Sequence, residues 1–509
     1  MKAKHIIVLL LLSYAFFFHG IGDYSLKEPD EGRYAEIPRE MNELHDYTVP
    51  HLNYVRYFEK PPLLYWAEAL SFRVFGTNEW SFRFPNALCA FLCVVCLYLF
   101  IRRWFDEHRA FLSSVILITS FGAFAMARIV TTDMLFTLWL LLSLLSFYGF
   151  YREKKGAFIY LFYVAIGTAT LAKGPVALIL MGGTILIFLF SEHNLHFITE
   201  MRLIRGLLIY LVVTIPWIIA ISLREKEFLY FFFVDQHLLR FLTSKHKRTG
   251  AIYYFLPVLF GGMFPWSIFI PRAVADVWRK KELRLMLIWV FVVFAFFSIS
   301  SSKLPPYILP VFPPLAVILG YFLHDKWSSQ VSRRAEVPVY AACFLIFASA
   351  AFLARVPALN AYISDLSGDA PSLMQDLRIF SVWVSFASIL VLFSLFFRRF
   401  TTYSGTFVCL TFFSIAVMLG LLFNLNVIDR LNTAKKLAGM INEEKTRAEF
   451  IVNSPPTTRL FLSTLSRASS SRPIRVNWRW VQSVTTQKKS SSAKVTFSGC
   501  SLQTRKSFS

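Results

Sequence analysis

The run Met134-Leu-Phe-Thr-Leu-Trp-Leu-Leu-Leu-Ser-Leu-Leu-Ser-Phe-Tyr-Gly-Phe-Tyr151 carries no charge, and it lies between Asp133 and the cluster Arg152-Glu-Lys-Lys155. A bilayer core takes roughly 17–25 apolar residues of helix, so this stretch reads as a transmembrane span. Comparable uncharged blocks recur at 5–22, 84–101, 110–127, 156–172, 174–191, 206–223, 251–271, 285–302, 304–323, 337–354, 379–397 and 400–427. The expectation is an all-α polytopic membrane protein of about thirteen helices. Lys2 and Lys4 precede the first block, which lacks a small-x-small cleavage site and therefore reads as a membrane anchor.

Composition agrees. Of 509 residues 56% are apolar and 17% charged, against about a quarter charged in soluble domains. A soluble enzyme, a fibrous protein and a disordered chain are excluded. Cys89, Cys93 and Cys96 share one apolar block, Cys343 and Cys409 lie in two others and Cys500 follows the last, so no disulfide framework is expected. The net charge of +22 is not a nucleic-acid signal. From Phe450 to Ser509 there is no Asp or Glu, and the other excess Lys and Arg sit between apolar blocks. Basic clusters at Arg102-Arg103, Arg152 to Lys155, Arg272 to Arg284 and Arg398-Arg399 fall on one side if every block spans, and the positive-inside rule makes that side cytoplasmic. The outer face then holds two substantial segments, 23–83 and 224–250.

The first outer segment reads Asp30-Glu-Gly-Arg-Tyr-Ala-Glu-Ile-Pro-Arg-Glu-Met, with Pro29 expected to open a short helix, Asp30 and Glu31 in its first turn, and Pro38 expected to end or kink it. Helical spacing puts Arg33 and Tyr34 on the face of Asp30. Tyr57-Phe-Glu-Lys-Pro-Pro follows, and its prolines and aromatics, with Trp66 and Trp80, suggest two helices lying at the membrane surface. Other outer-face ionisable groups are Asp133, Lys173 in Ala-Lys-Gly-Pro, Asp235 and His237, Arg240, and Lys303 in Ser-Lys-Leu-Pro-Pro-Tyr307. Each has a plainer reading alone: Asp133 as a helix cap, the two lysines as snorkelling anchors, His237 as a hydrogen-bonded histidine. Together they suit an anionic lipid head group, cations holding phosphate and a carboxylate orienting or deprotonating a nucleophile.

These strings, together with Arg83-Phe-Pro, Pro216-Trp217 and Pro265-Trp266, resemble the lipid A aminoarabinose transferases. Those enzymes lie within the protein O-mannosyltransferase-like family of polyprenyl-phosphate-dependent glycosyltransferases, the family 39 and 83 type. The resemblance covers about residues 1–425, read as one transmembrane glycosyltransferase domain. It implies a GT-C type fold, a donor sugar carried on undecaprenyl phosphate, and inverting transfer to a lipid A or other cell-envelope acceptor at the periplasmic face of the bacterial inner membrane. Asp30 and Asp133 fall on the family's essential carboxylates. Arg33, Tyr34, Tyr57, Lys60, Lys173, Arg240, Lys303 and Tyr307 fall in its substrate site, with Lys60 on the carrier phosphate. Glu59 and His237 fall on a pair that can hold a divalent metal; no organic cofactor is implied. Where the family continues into a periplasmic α/β domain, a post-membrane segment at 426–453 and a basic, Ser-rich tail at 454–509 stand instead, the tail expected to be disordered or frameshift-derived. Transfer to protein or another glycan, a lipid-linked sugar flippase and a noncatalytic scaffold are the competing readings. Transporters gather charge near the bilayer midplane, and here the ionisable groups cluster at one surface.

Overall fold

The computed structural model describes residues 2–27, 30–239, 250–327 and 402–423, with isolated positions between 329 and 389. The expected spans at 337–354 and 379–397 and the segments at 426–453 and 454–509 lie outside the described residues or mostly so. The chain begins with α1 (Lys2–Ser13), which continues into one π-helical turn, Tyr14–Phe18. The first outer segment forms α2 (Asp30–Leu44), a two-stranded hairpin β1 (His51–Leu52) and β2 (Val55–Arg56), and α3 (Leu63–Phe75). Then come α4 (Glu79–Trp104), α5 (Glu107–Ile118), α6 (Phe121–Arg128), α7 (Thr132–Glu153), α8 (Gly156–Lys173), α9 (Val176–Ser191), the short α10 (Phe197–Glu200) and α11 (Leu203–Arg224). A π-helical segment, Tyr230–Leu239, opens the second outer segment. The rest comprises α12 (Phe255–Gly262), α13 (Ile270–Val277), α14 (Arg284–Ile299), a 3₁₀ stretch Pro305–Val311, α15 (Phe312–Asp325) and α16 (Tyr403–Phe423).

This is a multi-pass membrane protein. Among the described residues seven helices are long and apolar enough to cross a bilayer, and nine if each of two bent pairs counts as one span. α1 with its π turn and α9 are apolar but shorter. Two blocks that read as continuous are broken. The first bends by 61° between α5 and α6. There Thr119 and Ser120 turn their hydroxyls back onto the carbonyls of Val115 and Leu117, at 2.6 and 2.9 Å, offering the backbone an alternative to the helix ladder. The second bends by 113° after α12, where Pro265 removes an amide donor. Conversely α2 runs through Pro38 to Leu44 instead of ending there. Its packing against α3 and the hairpin outweighs the one lost hydrogen bond.

Capping chemistry fixes where the functional helices start and stop. Asn78 and Ser81 form a reciprocal capping box at the head of α4, with Glu79 in its first turn and Arg102 and Arg103 in its last. The Thr131 hydroxyl accepts from the Asp133 amide, so α7 begins with Asp133 in its first turn. In Ala-Lys-Gly-Pro, Gly174 takes φ +88° and terminates α8, and Pro175 leads into α9, which leaves Lys173 as the last residue of its helix. The bundle core is tightly packed: a side chain at Gly320 of α15 would collide with Ser113 of α5, the close approach that small residues permit between membrane helices.

Candidate active site

One fully buried ion pair sets the site's frame. The carboxylate of Glu31, in the first turn of α2, accepts from Arg83 of α4 at both oxygens, at 3.1 and 2.7 Å. Glu31 is 1% exposed and Arg83 0%. Arg83 also donates to the carbonyls of Ile21, Tyr24 and Ser25, each at 2.8 Å, and covers the Tyr24 ring. Glu31 in turn accepts the amides of Lys27 and Val130, at 2.8 and 3.1 Å. Every polar contact that desolvation makes costly is therefore met, and the pair ties together the chain before α2, the head of α4 and the 129–131 segment that leads into Asp133.

On that frame stands a first cluster. Arg33 donates to Asp30 at 2.7 Å and lies 3.5 Å from Glu59. Tyr57 donates its hydroxyl to Glu59 at 2.9 Å, and the Arg33 guanidinium stands 5.0 and 5.9 Å from the ring centres of Tyr34 and Tyr57. The Asp30 side chain is 48% exposed, whereas Arg33 is nearly covered. Burial pushes the Tyr34 and Tyr57 phenols far above their ordinary range. Arg33 opposes the shift, and neighbouring carboxylates add to it, so both stay neutral donors across the physiological range. Lys60, half-buried, follows Glu59 directly.

The second cluster is internal. Lys173, at the end of α8, forms an ion pair with Asp133 at the head of α7, and both side chains are under a tenth exposed. The Lys173 ammonium also faces the Tyr307 ring at 4.4 Å and the Phe136 ring at 5.2 Å. Tyr34 joins the clusters, since it feels the charges of Asp30 and Asp133 alike. The Lys303 ammonium donates to the carbonyls of Ser298 and Ser300 at 2.7 and 2.9 Å and approaches that of Phe297 at 3.4 Å, which closes the end of α14. That is the contact a helix-end lysine makes. His237 lies in the π-helical segment, its side chain outside the described residues, as are Arg240 and Pro29. Glu59 is occupied by Tyr57 and Arg33, and among the described residues no three His, Cys, Asp or Glu side chains converge as a metal site.

An arrangement of buried cations, phenols and a half-exposed carboxylate at one end of a helical bundle invites comparison with known membrane transferases. The family described as dolichyl-phosphate-mannose-protein mannosyltransferase matches residues 59–219. The undecaprenyl phosphate-alpha-4-amino-4-deoxy-L-arabinose arabinosyl transferase of Photorhabdus laumondii is 34% identical over 307 residues, covering 58% of this chain and 55% of that one. The enzyme of the same name from Yersinia enterocolitica is 32% identical over 342 residues, 65% of this chain and 61% of its own. The chain thus spans under two thirds of the length of these relatives. The crystal structure of ArnT from Cupriavidus metallidurans bound to undecaprenyl phosphate superposes with a TM-score of 0.78 at 24% identity, over 91% of this chain and 85% of that one. Its apo form gives 0.73 at 25%. The fold is that of a GT-C transferase. The likeness read from the motifs holds: this chain is similar in sequence and in fold to the aminoarabinose transferases.

Several residues that shape the site were given no site role in the sequence reading. Arg83 stood in a quoted motif, but its partner Glu31 read only as a companion of Asp30. Tyr65, fully buried on α3, places its ring 6.1 Å from that of Tyr34. Asn86 donates to the carbonyls of Met126 and Ala127 at 2.7 and 3.0 Å and so holds the end of α6 against α4. Its signal was visible: a lone amide inside an apolar block seeks backbone partners.

Proposed function

We propose that this protein is an integral-membrane, inverting glycosyltransferase that moves a sugar, 4-amino-4-deoxy-L-arabinose, from undecaprenyl phosphate to a lipid A or related envelope acceptor at the periplasmic face of the bacterial inner membrane. The observation that carries the reading is the juxtaposition of the Asp30–Arg33–Glu59–Tyr57 cluster with the buried Asp133–Lys173–Tyr307 cluster at one end of a fold shared with an undecaprenyl-phosphate-bound structure. A polyprenyl phosphate departs as a stabilised anion and needs little acid catalysis. The larger requirement is cationic stabilisation of that departure, which Arg33 supplies with Lys173 behind it, while Lys60 holds the carrier phosphate in ground state and transition state alike. Asp30 is the exposed carboxylate. It orients a phosphate acceptor, which is already nucleophilic, or takes the proton from a hydroxyl acceptor. Tyr34 and Tyr57, kept neutral by burial, donate hydrogen bonds to phosphate or sugar oxygens. Asp133 holds Lys173 in place. A divalent metal, if bound, would be held by Glu59 and His237 and would add positive charge at the departing phosphate.

Two experiments test this. Purified protein incubated with undecaprenyl-phosphate-linked aminoarabinose and lipid A is expected to yield modified lipid A; release of free sugar alone, or no turnover of this donor, would refute the substrate assignment. Single cysteines placed in 23–83 of a cysteine-free protein are expected to react with an impermeant reagent in intact cells, and those in 272–284 are not. The reverse pattern would put the site on the wrong side of the membrane.

A further inference from the structure

Glu40, in the third turn of α2, is 0% exposed and takes no part in either cluster. Both its oxygens accept the backbone amide of Tyr54, at 3.0 Å each. Tyr54 is the second of two turn residues, after Asn53, in the left-handed region, at φ +60° and +55°. A bulky residue there costs about 1–2 kcal/mol, and a hairpin of two-residue strands does not hold itself together in water. Its shape must come from outside. On the α2 side the anchor is Glu40, flanked by Glu36, which is paired with Arg39 at 2.6 Å, and by Glu43, which accepts the Tyr54 hydroxyl at 2.9 Å. On the other side Arg56 pairs with Glu225 at 2.7 Å, Arg224 with Asp46 at 2.7 Å, and the Trp217 indole donates to the Thr48 carbonyl at 3.0 Å. The hairpin leads straight into the site. The Tyr57 amide donates to the Pro50 carbonyl at 2.8 Å, and Tyr57, Glu59 and Lys60 follow within four residues of β2.

We propose that Glu40 is a positioning residue for the donor phosphate: through the Tyr54 amide it fixes the hairpin, and through the hairpin it sets where Lys60 stands. The proposal rests on the donor-site reading of Lys60 given above. Arg39 lies 3.9 Å from Glu40, and what the Tyr54 amide needs from it is an acceptor, which Gln also supplies.

The test is direct binding of undecaprenyl phosphate to the purified full chain in detergent, for Glu40→Ala, Glu40→Gln, Lys60→Ala and the Glu40→Ala/Lys60→Ala double variant, with kcat and KM measured beside it. Glu40→Ala is expected to weaken binding by about threefold to tenfold, raising KM while kcat at saturation changes by less than about twofold. Glu40→Gln is expected to bind as the parent does. In the Lys60→Ala background, Glu40→Ala is expected to add less than about twofold, because the two act on one contact. A general structural role would instead lower kcat as well and add fully to Lys60→Ala. Unchanged binding in Glu40→Ala, full additivity, or a Gln variant as weak as the Ala one would overturn the proposal. If the Ala variant does not purify, Glu40→Asp withdraws the acceptor by one methylene and is expected to weaken binding in the same sense; parent-like binding by it would count against the proposal. Normal binding by Lys60→Ala would remove the donor-site reading and this proposal with it, whereas weak Lys60→Ala with normal Glu40→Ala removes this proposal alone.

Discussion

The two ends of the helical bundle carry charge in opposite ways. At the site end two ion pairs between distant elements are buried, Glu31 with Arg83 and Asp133 with Lys173, beside exposed ones such as Arg56 with Glu225. At the other end the basic clusters between the spans also form pairs, half-buried or exposed. Arg103 meets Glu153 at 2.7 Å with its side chain 48% exposed, Lys154 reaches Glu200, and Arg109 and Lys280 share Asp325. Exposed pairs contribute little, about 0–1 kcal/mol, whereas removing one partner of a buried pair strands an uncompensated charge at about 3–5 kcal/mol. Among the described residues the two pairs with both side chains under a tenth exposed, Glu31–Arg83 and Asp133–Lys173, both stand at the site end.

That contrast predicts a ranking of effects. The largest belongs to the buried frame: Arg83→Leu or Glu31→Gln is expected to destabilise the protein by about 3–5 kcal/mol, read as a marked fall in Tm of the detergent-solubilised protein. A loss no larger than that of Arg103→Ala would erase the distinction between the two ends. Next comes Lys60→Ala, expected to weaken carrier-phosphate binding more than about tenfold, the worth of one charge-assisted contact of about 2 kcal/mol. Unchanged binding would return Lys60 to an interfacial anchor.

A smaller, pH-dependent effect sharpens the picture within the site end. Burial, and then the neighbouring Glu36, pushes the Glu40 carboxyl up to about 8. Its folded value therefore lies above its unfolded one. Stability from Glu40 is fully present below the ordinary carboxylate range and declines as pH rises through about 8. Tm of the parent is expected to fall between pH 6 and pH 9 by more than that of Glu40→Gln, and equal slopes would contradict the shift. The smallest effect is expected from Arg103→Ala, whose Tm is expected to match that of the parent.

The same contrast explains what the sequence disclosed. Spans were legible because lipid demands long apolar runs, and eleven of the thirteen expected blocks correspond to described apolar helices or bent pairs. The bends were not, since Thr119 and Ser120 look like ordinary span residues until their hydroxyls are seen to compete for carbonyls. The Asp30–Arg33 pair was legible from local helical spacing. The Glu31–Arg83 and Asp133–Lys173 pairs, 52 and 40 residues apart, depend on packing that no local pattern encodes. The bonds of Lys303 to the carbonyls of Ser298 and Ser300 likewise depend on the turn after α14, which its motif does not encode.

The most direct test of the account separates chemistry from binding at Asp30. Asp30→Asn keeps the size and hydrogen-bonding shape of the side chain and removes only its charge. Turnover of the undecaprenyl-phosphate-linked sugar and binding of undecaprenyl phosphate are to be measured on the same purified variant. The account predicts that turnover is lost while carrier binding stays within about twofold of the parent. Near-parental turnover would contradict it.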